Sequence, residues 1–189
     1  MINRKEIESS IIKILDAVGE NVIREGLKET PSRVGKMYAE IFKGMTEDPS
    51  DYLKLFNCEG SKNEIITICD IPFYSMCEHH MLPFFGKISI AYIPNNYQIL
   101  GISKFSRIIE CFSKRLQVQE RLTSQIADFL YDNLKPKGLL VFVEAEHLCM
   151  TMRGIKSFGS KTKTLCSKGI FNDDYEKKSE ALFLIKDSK

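Results

Sequence analysis

All three histidines of the 189-residue chain fall in two short segments, Cys77-Glu78-His79-His80 and His147-Leu148-Cys149. Cys77 and His80 have two residues between them, a spacing at which a turn can point both side chains at one ion. His147 and Cys149 are two apart in a predicted strand, so their side chains share a face with Val141, Val143 and Ala145. Thiolate and imidazole donors favour zinc over magnesium or calcium. The five candidates exceed the four ligands of a closed tetrahedral site. If Cys77, His80 and Cys149 hold the ion, one position stays open for water, and His79 and His147 are left to move protons. Bound zinc lowers the pKa of its water to about 7, which makes a nucleophile at neutral pH. Four of the five as ligands would instead give a closed structural site. Spacing alone leaves both readings open.

Other features carry less chemistry. Gly154-Ile-Lys-Ser-Phe-Gly159-Ser-Lys161-Thr162 looks like a phosphate loop, but Ser160 separates the glycine from the lysine and no helix clearly follows. Cys58, Cys69, Cys111 and Cys166 lack ligand-type neighbours and read as small hydrophobes.

The elements that must position the cluster are legible in outline. Asn3 with Glu6 marks a helix start, and Ile7, Ile11, Ile14, Leu15 and Val18 follow at helical spacing until Gly19. Thr30-Pro31 starts a second helix with Val34, Met37, Tyr38 and Ile41 on its apolar face and Gly44 at its end. Arg33 and Lys36 share another face of that helix. Glu47 to Asn63 reads as irregular, Glu64 to Cys69 as β-rich, and Lys87 to Pro94 as a strand. Ser103 is placed to cap a third helix that buries Phe105, Ile108, Ile109 and Phe112. A fourth runs from about Val118 to Leu134, where Pro136 and Gly138 break it. Leu139 to Met150 and Ala181 to Ile185 are read as strands. Helices first, then hairpin, helix pair and hairpin, argue an α+β fold with a mostly antiparallel sheet.

Bulk properties narrow the class. With 43% hydrophobic and 28% charged residues the composition is globular, and a formal net charge of +2 gives no field for nucleic acid or membrane. Met1 to Asp16 intersperses charges among its apolar residues, so no secretory h-region is expected there. A reducing cytoplasm is the expected location, with the six cysteines free.

Four blocks resemble the GTP cyclohydrolase I family. They are Thr30-Pro-Ser-Arg-Val-Gly-Lys-Met37; Cys77-Glu-His-His80 with Pro83-Phe and Ala91-Tyr-Ile-Pro94; Gly101-Ile-Ser-Lys104 through Arg107 and Arg115-Leu-Gln-Val-Gln-Glu-Arg-Leu-Thr123; and His147-Leu-Cys-Met-Thr-Met-Arg-Gly154. In order, they span about residues 30 to 171. The family commonly has Thr-Ser-Ala where Thr164-Leu-Cys166 stands, and alanine at Gly35. The chain starts close to its first helix, without the long leader of animal members, which lowers the expectation of a dedicated regulatory partner.

The resemblance implies the tunnelling fold, an antiparallel sheet with helices packed on one side. Residues 1–189 would form a single domain, with 1–45 an N-terminal helical region and 64–186 the catalytic core. It implies one zinc per subunit on Cys77, His80 and Cys149, with His79 and His147 as proton carriers. Glu120 would read the guanine of GTP, and Gln119 would be among the substrate-binding residues. Ser103, Lys104, Arg107, Arg153, Arg33 and Lys36 would line the triphosphate side, some from a neighbouring subunit of a decamer built from two pentamers. The implied activity opens the guanine imidazole ring at C8 by zinc-activated water, releases formate and yields 7,8-dihydroneopterin triphosphate, the first step toward tetrahydrofolate and other pterins. Two alternatives are a nitrile reductase of the same fold, acting in 7-deazaguanine metabolism, and a non-catalytic purine-binding ring with structural zinc.

Overall fold

The computed structural model describes residues 2–58 and 63–187. Its elements in chain order are α1 (Arg4–Ala17), α2 (Thr30–Ile41), β1 (Leu55–Asn57), β2 (Ile66–Cys77), β3 (Pro83–Ile93), β4 (Gln98–Leu100) and α3 (Ile102–Ser113). Then follow β5 (Leu116–Gln117), α4 (Gln119–Leu134), β6 (Gly138–His147), the single turn α5 (Leu148–Thr151), β7 (Thr162–Gly169), the short α6 (Ile170–Asp173) and α7 (Tyr175–Lys186).

Local chemistry sets several boundaries. The Asn3 side chain accepts from the Glu6 amide at 3.3 Å and so caps α1. Pro31 sits in the first turn of α2, where its missing N–H costs nothing, although the cap is Glu29 rather than Thr30. The helix pair stands apart from the main core. Helix α1 has no buried residue, and Ile12, Ile14 and Val18 are exposed.

Five strands form the main sheet in the order β5-β2-β3-β6-β7. All pairings are antiparallel except the short parallel contact of β2 with β5. The long β2 changes register between Ile68 and Ile71. At that bulge Asp70 takes φ +58°, its amide donates to Ser89 Oγ at 3.1 Å, and its carboxylate accepts from Lys87 at 2.9 Å. The extra residue restores the alternation that sends Ile71, Phe73 and Cys77 to the core. β1 and β4 pair separately.

The alternation of β3 and β6 sorts residues between two faces. Ile88, Ile90 and Tyr92 join Leu139, Val141, Val143 and Ala145 under α3 and α4. Phe105, Ile108, Ile109, Leu122, Ile126 and Leu130 close that layer. Ala91, Ile93 and Leu140 point the other way and meet Phe171, Ala181 and Ile185 of α6 and α7. The main helix pair thus covers one face, and a short C-terminal helix covers one end of the other.

Besides the cap of α2, further expectations change, and β1 at Leu55–Asn57 falls within the segment read as irregular. Ala181–Ile185 lies in helix α7, started by Asp174, whose carboxylate accepts from the Lys177 amide at 3.0 Å. Ser103 lies inside α3, whose cap is Gly101. The strand expected through Met150 ends at His147, and Cys149 sits in the helical turn α5. β7 arises where no element was expected. Residues 59–62, within the segment read as irregular, lie outside the described residues.

Candidate metal centre and its surroundings

Register brings the two ligand-rich segments together. β2 and β3 form a hairpin whose last pair is Met76 with Pro83, so residues 77–82 are its turn. β6 lies on the other side of β3 with His147 opposite Phe84. The hairpin turn and the end of β6 therefore meet at one end of the sheet. The turn is closed by Met81 N to Cys77 O at 2.8 Å and Cys77 N to Leu82 O at 2.9 Å, with Met81 held at φ +51°. Such a left-handed non-glycine residue is the kind of local strain found where a loop must aim side chains.

Cys77 Sγ, a ring nitrogen of His80 and Cys149 Sγ all lie within 4.8 Å of one another. Zinc bonds sulfur at about 2.3 Å and nitrogen at about 2.0 Å, so this triangle fits one ion with shifts under about 1 Å. Cys77 is buried, Cys149 half-buried and His80 exposed. Burial, then the neighbouring Cys77 sulfur, pushes the Cys149 thiol above its ordinary range. A cation between the sulfurs removes that penalty, because a coordinated thiol is deprotonated outright. The two-thiol, one-imidazole set fits a zinc ion that keeps a position for solvent.

His79 and His147 do not belong to that triangle. His79 is exposed, with Nδ1 3.9 Å from Cys77 Sγ. His147 is half-buried, and its ring stacks on Phe84 with centroids 4.7 Å apart and planes 3° from parallel. Burial holds the His147 imidazole below its ordinary pKa, against the opposing pull of Glu120. Gln119, expected among the substrate-binding residues, is buried at 1% exposure, and its amide is engaged inside the chain. Its Oε1 lies 2.8 Å from His147 Nε2.

Glu120 is exposed in the first turn of α4, close enough to His147 to act on its charge. Arg153 is exposed beyond α5, where its charge reaches Cys149. The other cations lie elsewhere. Ser103, Lys104 and Arg107 occupy the first turns of α3, while the last residue of that helix, Ser113, accepts from Ser75 of β2 at 2.7 Å. At 1.5 Å per residue, ten residues put about 15 Å of helix between Ser103 and the end of α3 near the metal turn. Arg33 and Lys36 lie on α2, with Arg33 paired to Glu29 at 2.9 Å. One chain therefore brings together the three candidate ligands, His79, His147 and Glu120, with Arg153 just beyond α5, while Ser103, Lys104, Arg107, Arg33 and Lys36 sit on α3 and α2.

Sequence reading missed a second tie. Arg121 pairs with Glu78 of the metal turn, and also donates to Leu116 O at 2.9 Å and Gln117 Oε1 at 3.0 Å. Gln117 O in turn accepts from the Glu78 amide at 3.0 Å. The metal turn is thus fastened to the start of α4. The adjacency of Glu120 and Arg121 offered no signal for this, since Glu78 lies 43 residues away.

A thiol–imidazole cluster that could hold a metal ion, set on an α+β sheet beside a half-buried histidine and an exposed carboxylate, has the donor set of a metal-dependent hydrolase. The chain matches the profile of the GTP cyclohydrolase I family over residues 7–186. It is 51% identical over 185 residues to a protein from Carboxydothermus hydrogenoformans named GTP cyclohydrolase 1, covering 98% of this chain and 96% of that one. A Clostridioides difficile protein of the same name is 49% identical over 184 residues, covering 97% of each. The chain belongs to the GTP cyclohydrolase I family. A crystal structure of the archaeosine synthase QueF-Like in the apo form overlaps 59% of this chain and 97% of its own, at 15% identity and TM-score 0.42. That overlap is too loose to bear on the fold.

Proposed function

We propose that this chain is a GTP cyclohydrolase I, converting GTP to formate and 7,8-dihydroneopterin triphosphate. The observation that carries the reading is the convergence of Cys77, His80 and Cys149 beside His147, within a chain that matches the family nearly end to end. A zinc ion on those three residues would supply Lewis-acid activation of the water that attacks C8. The other roles fall to the chain itself. His147, kept neutral at pH 7 by burial, takes the proton this water gives up and returns it to the imidazole nitrogen that leaves as the ring opens. His79, exposed at the mouth, exchanges protons with solvent. The Glu120 carboxylate accepts the N1–H and N2–H of guanine, and adenine lacks that donor pair. Arg153 meets the phosphate side. Ser103, Lys104, Arg107, Arg33 and Lys36 complete that side from other copies in a ring-shaped oligomer, consistent with a decamer. Two features support assembly: Lys104 and Arg107 sit about 14 and 9 Å of helix from the end of α3 that adjoins β2, and α1 is unburied.

The test is incubation of the zinc-loaded protein with GTP, with formate and oxidised-pterin fluorescence read together. Formate and pterin from GTP, with none from ATP, is the expected result. A purine-binding ring with structural zinc would bind GTP and release no formate. A nitrile reductase would require a nicotinamide cofactor. In Glu120→Gln, discrimination against ATP should shrink along with turnover, and unchanged GTP turnover would remove Glu120 as the base reader.

A further inference from the structure

We propose that Gln119, anchored by Thr164, fixes His147 as the tautomer protonated on Nε2, and so positions the proton carrier instead of contacting substrate. The inference deepens the reading of His147 given above and rests on it for its catalytic meaning. Its structural content stands on hydrogen-bond direction alone.

The direction follows from groups that can act in only one way. Gln119 Nε2 lies 3.3 Å from Val143 O, 3.1 Å from Thr162 O and 3.1 Å from Thr164 Oγ1. Backbone carbonyls only accept, so the Gln119 atom between them must be the NH₂ group. The other amide atom is therefore the carbonyl oxygen, and it faces His147 Nε2 at 2.8 Å. A carbonyl oxygen only accepts, so His147 Nε2 carries the proton.

The hydroxyls tighten the arrangement. Thr123 Oγ1 donates to Gln119 O at 2.7 Å, which uses its single proton. Thr164 Oγ1, 2.6 Å from Thr123 Oγ1, must then donate to it and keep its lone pairs for the Gln119 amide. The chain of donors runs His147, Gln119, Thr164, Thr123 and back to the Gln119 backbone, across β6, α4 and β7. Gln119 and Thr123 are at most 2% exposed, so reversing the chain would strand a buried donor or acceptor, at a cost of about 1–3 kcal/mol.

In this tautomer Nδ1 is the only ring nitrogen that can take and return a proton without breaking the Gln119 bond. The stacked Phe84 ring holds the imidazole plane. Gln119 thus does for a proton carrier what an outer hydrogen-bond partner does for a metal-bound histidine, whose removal typically costs 10–100-fold.

Neutron diffraction on the zinc-loaded, deuterium-exchanged oligomer at about pH 8, above the ordinary histidine range, reads the proton directly. Deuterium on His147 Nε2, and on the Gln119 nitrogen facing Val143 O, is expected; deuterium on Nδ1 alone overturns the proposal. Kinetics supply the second reading. Gln119→Leu should lower kcat about 10–100-fold with KM for GTP within about twofold. A raised KM with unchanged kcat would make Gln119 a substrate contact and sink the idea. If Gln119→Leu does not fold, Thr164→Val should lower kcat less, and Thr164→Ser should restore it; a Thr164→Val enzyme indistinguishable from the parent counts against the anchor. A wild-type crystal showing the Nε2 proton in a protein that makes no formate would uphold the tautomer and defeat only the functional reading.

Discussion

One strand serves two unlike environments. Along β6, Val141, Val143, Ala145 and His147 face α3 and α4, while Leu140, Phe142 and Glu144 face the opposite side. On the first face, beside His147, the polar groups are neutral and at least half-buried. Gln119, Thr123 and Thr164 satisfy one another and His147 with no formal charge among the first three. On the second face, Asp70, Lys87, Glu144, Glu146, Lys161 and Lys163 line an open cavity of about 710 Å³. Glu144 there pairs with Lys161 at 2.7 Å and Lys163 at 2.8 Å, both lysines more than half exposed. A buried neutral network is costly to leave half satisfied, so it fixes one arrangement. Exposed ion pairs are screened and replaceable, so they steer little. Precision sits on the first face and solubility on the second.

That contrast can be broken at its strongest point first. Cys149→Ser should lose bound metal and lower formate release by more than about 100-fold, a larger loss than outer-partner changes give. Metal analysis and the formate assay on the same sample check it, and full zinc with full turnover would mean the ligand set is wrong.

Next comes the close strand contact that serves both faces. A Cβ on Gly86 would meet Glu144 O at 1.9 Å and Ala145 Cα at 2.7 Å. Both are backbone atoms of β6 and cannot swing aside. Gly86→Ala should therefore destabilise by at least about 2–3 kcal/mol, in line with overpacked cores, and shift His147, two register positions along from Ala145 and Gly86. Urea unfolding measures this, and a midpoint equal to the parent's would show that β3 and β6 separate freely.

The smallest effect belongs to the second face. Hydrogen bonds from Lys161 and then Lys163 hold the Glu144 carboxyl down at about 2. Its folded pKa is depressed, so its contribution is complete above the unfolded value of about 4.3 and fades as pH falls toward the folded one. Glu144→Gln should cost about 1 kcal/mol or less at pH 7 after allowance for the exposed lysines. The difference should narrow below about pH 4.3 and also shrink in high salt. A pH-independent deficit would place the effect in packing instead of charge.

The uneven legibility of the chain has physical causes. α1 was readable because its cap and its helical spacing lie within a few positions of each other, and α4 because its apolar residues recur at helical spacing until Pro136. Ala181–Ile185 was ambiguous because a short apolar run suits either strand or helix, and the deciding cap, Asp174, lies seven residues upstream. β7 escaped notice because Leu165 and Cys166 are its only apolar residues among threonine, serine and lysine, and only pairing with β6 separates its faces. Cys149 was assigned to the ligand set through the wrong element. It approaches Cys77 and His80 from a helical turn, since the strand stops at His147.

The sequence by itself determined the family, the donor types and the local spacing of Cys77 with His80, because each depends on residue identity over short distances. Only the tertiary structure decided that Gln119 meets His147, that Arg121 fastens the turn 77–82, and that Cys149 reaches Cys77 and His80 from a helical turn. Those outcomes depend on strand register, above all on His147 standing opposite Phe84. Register is set by the summed packing of two sheet faces, and no short window of sequence contains that sum.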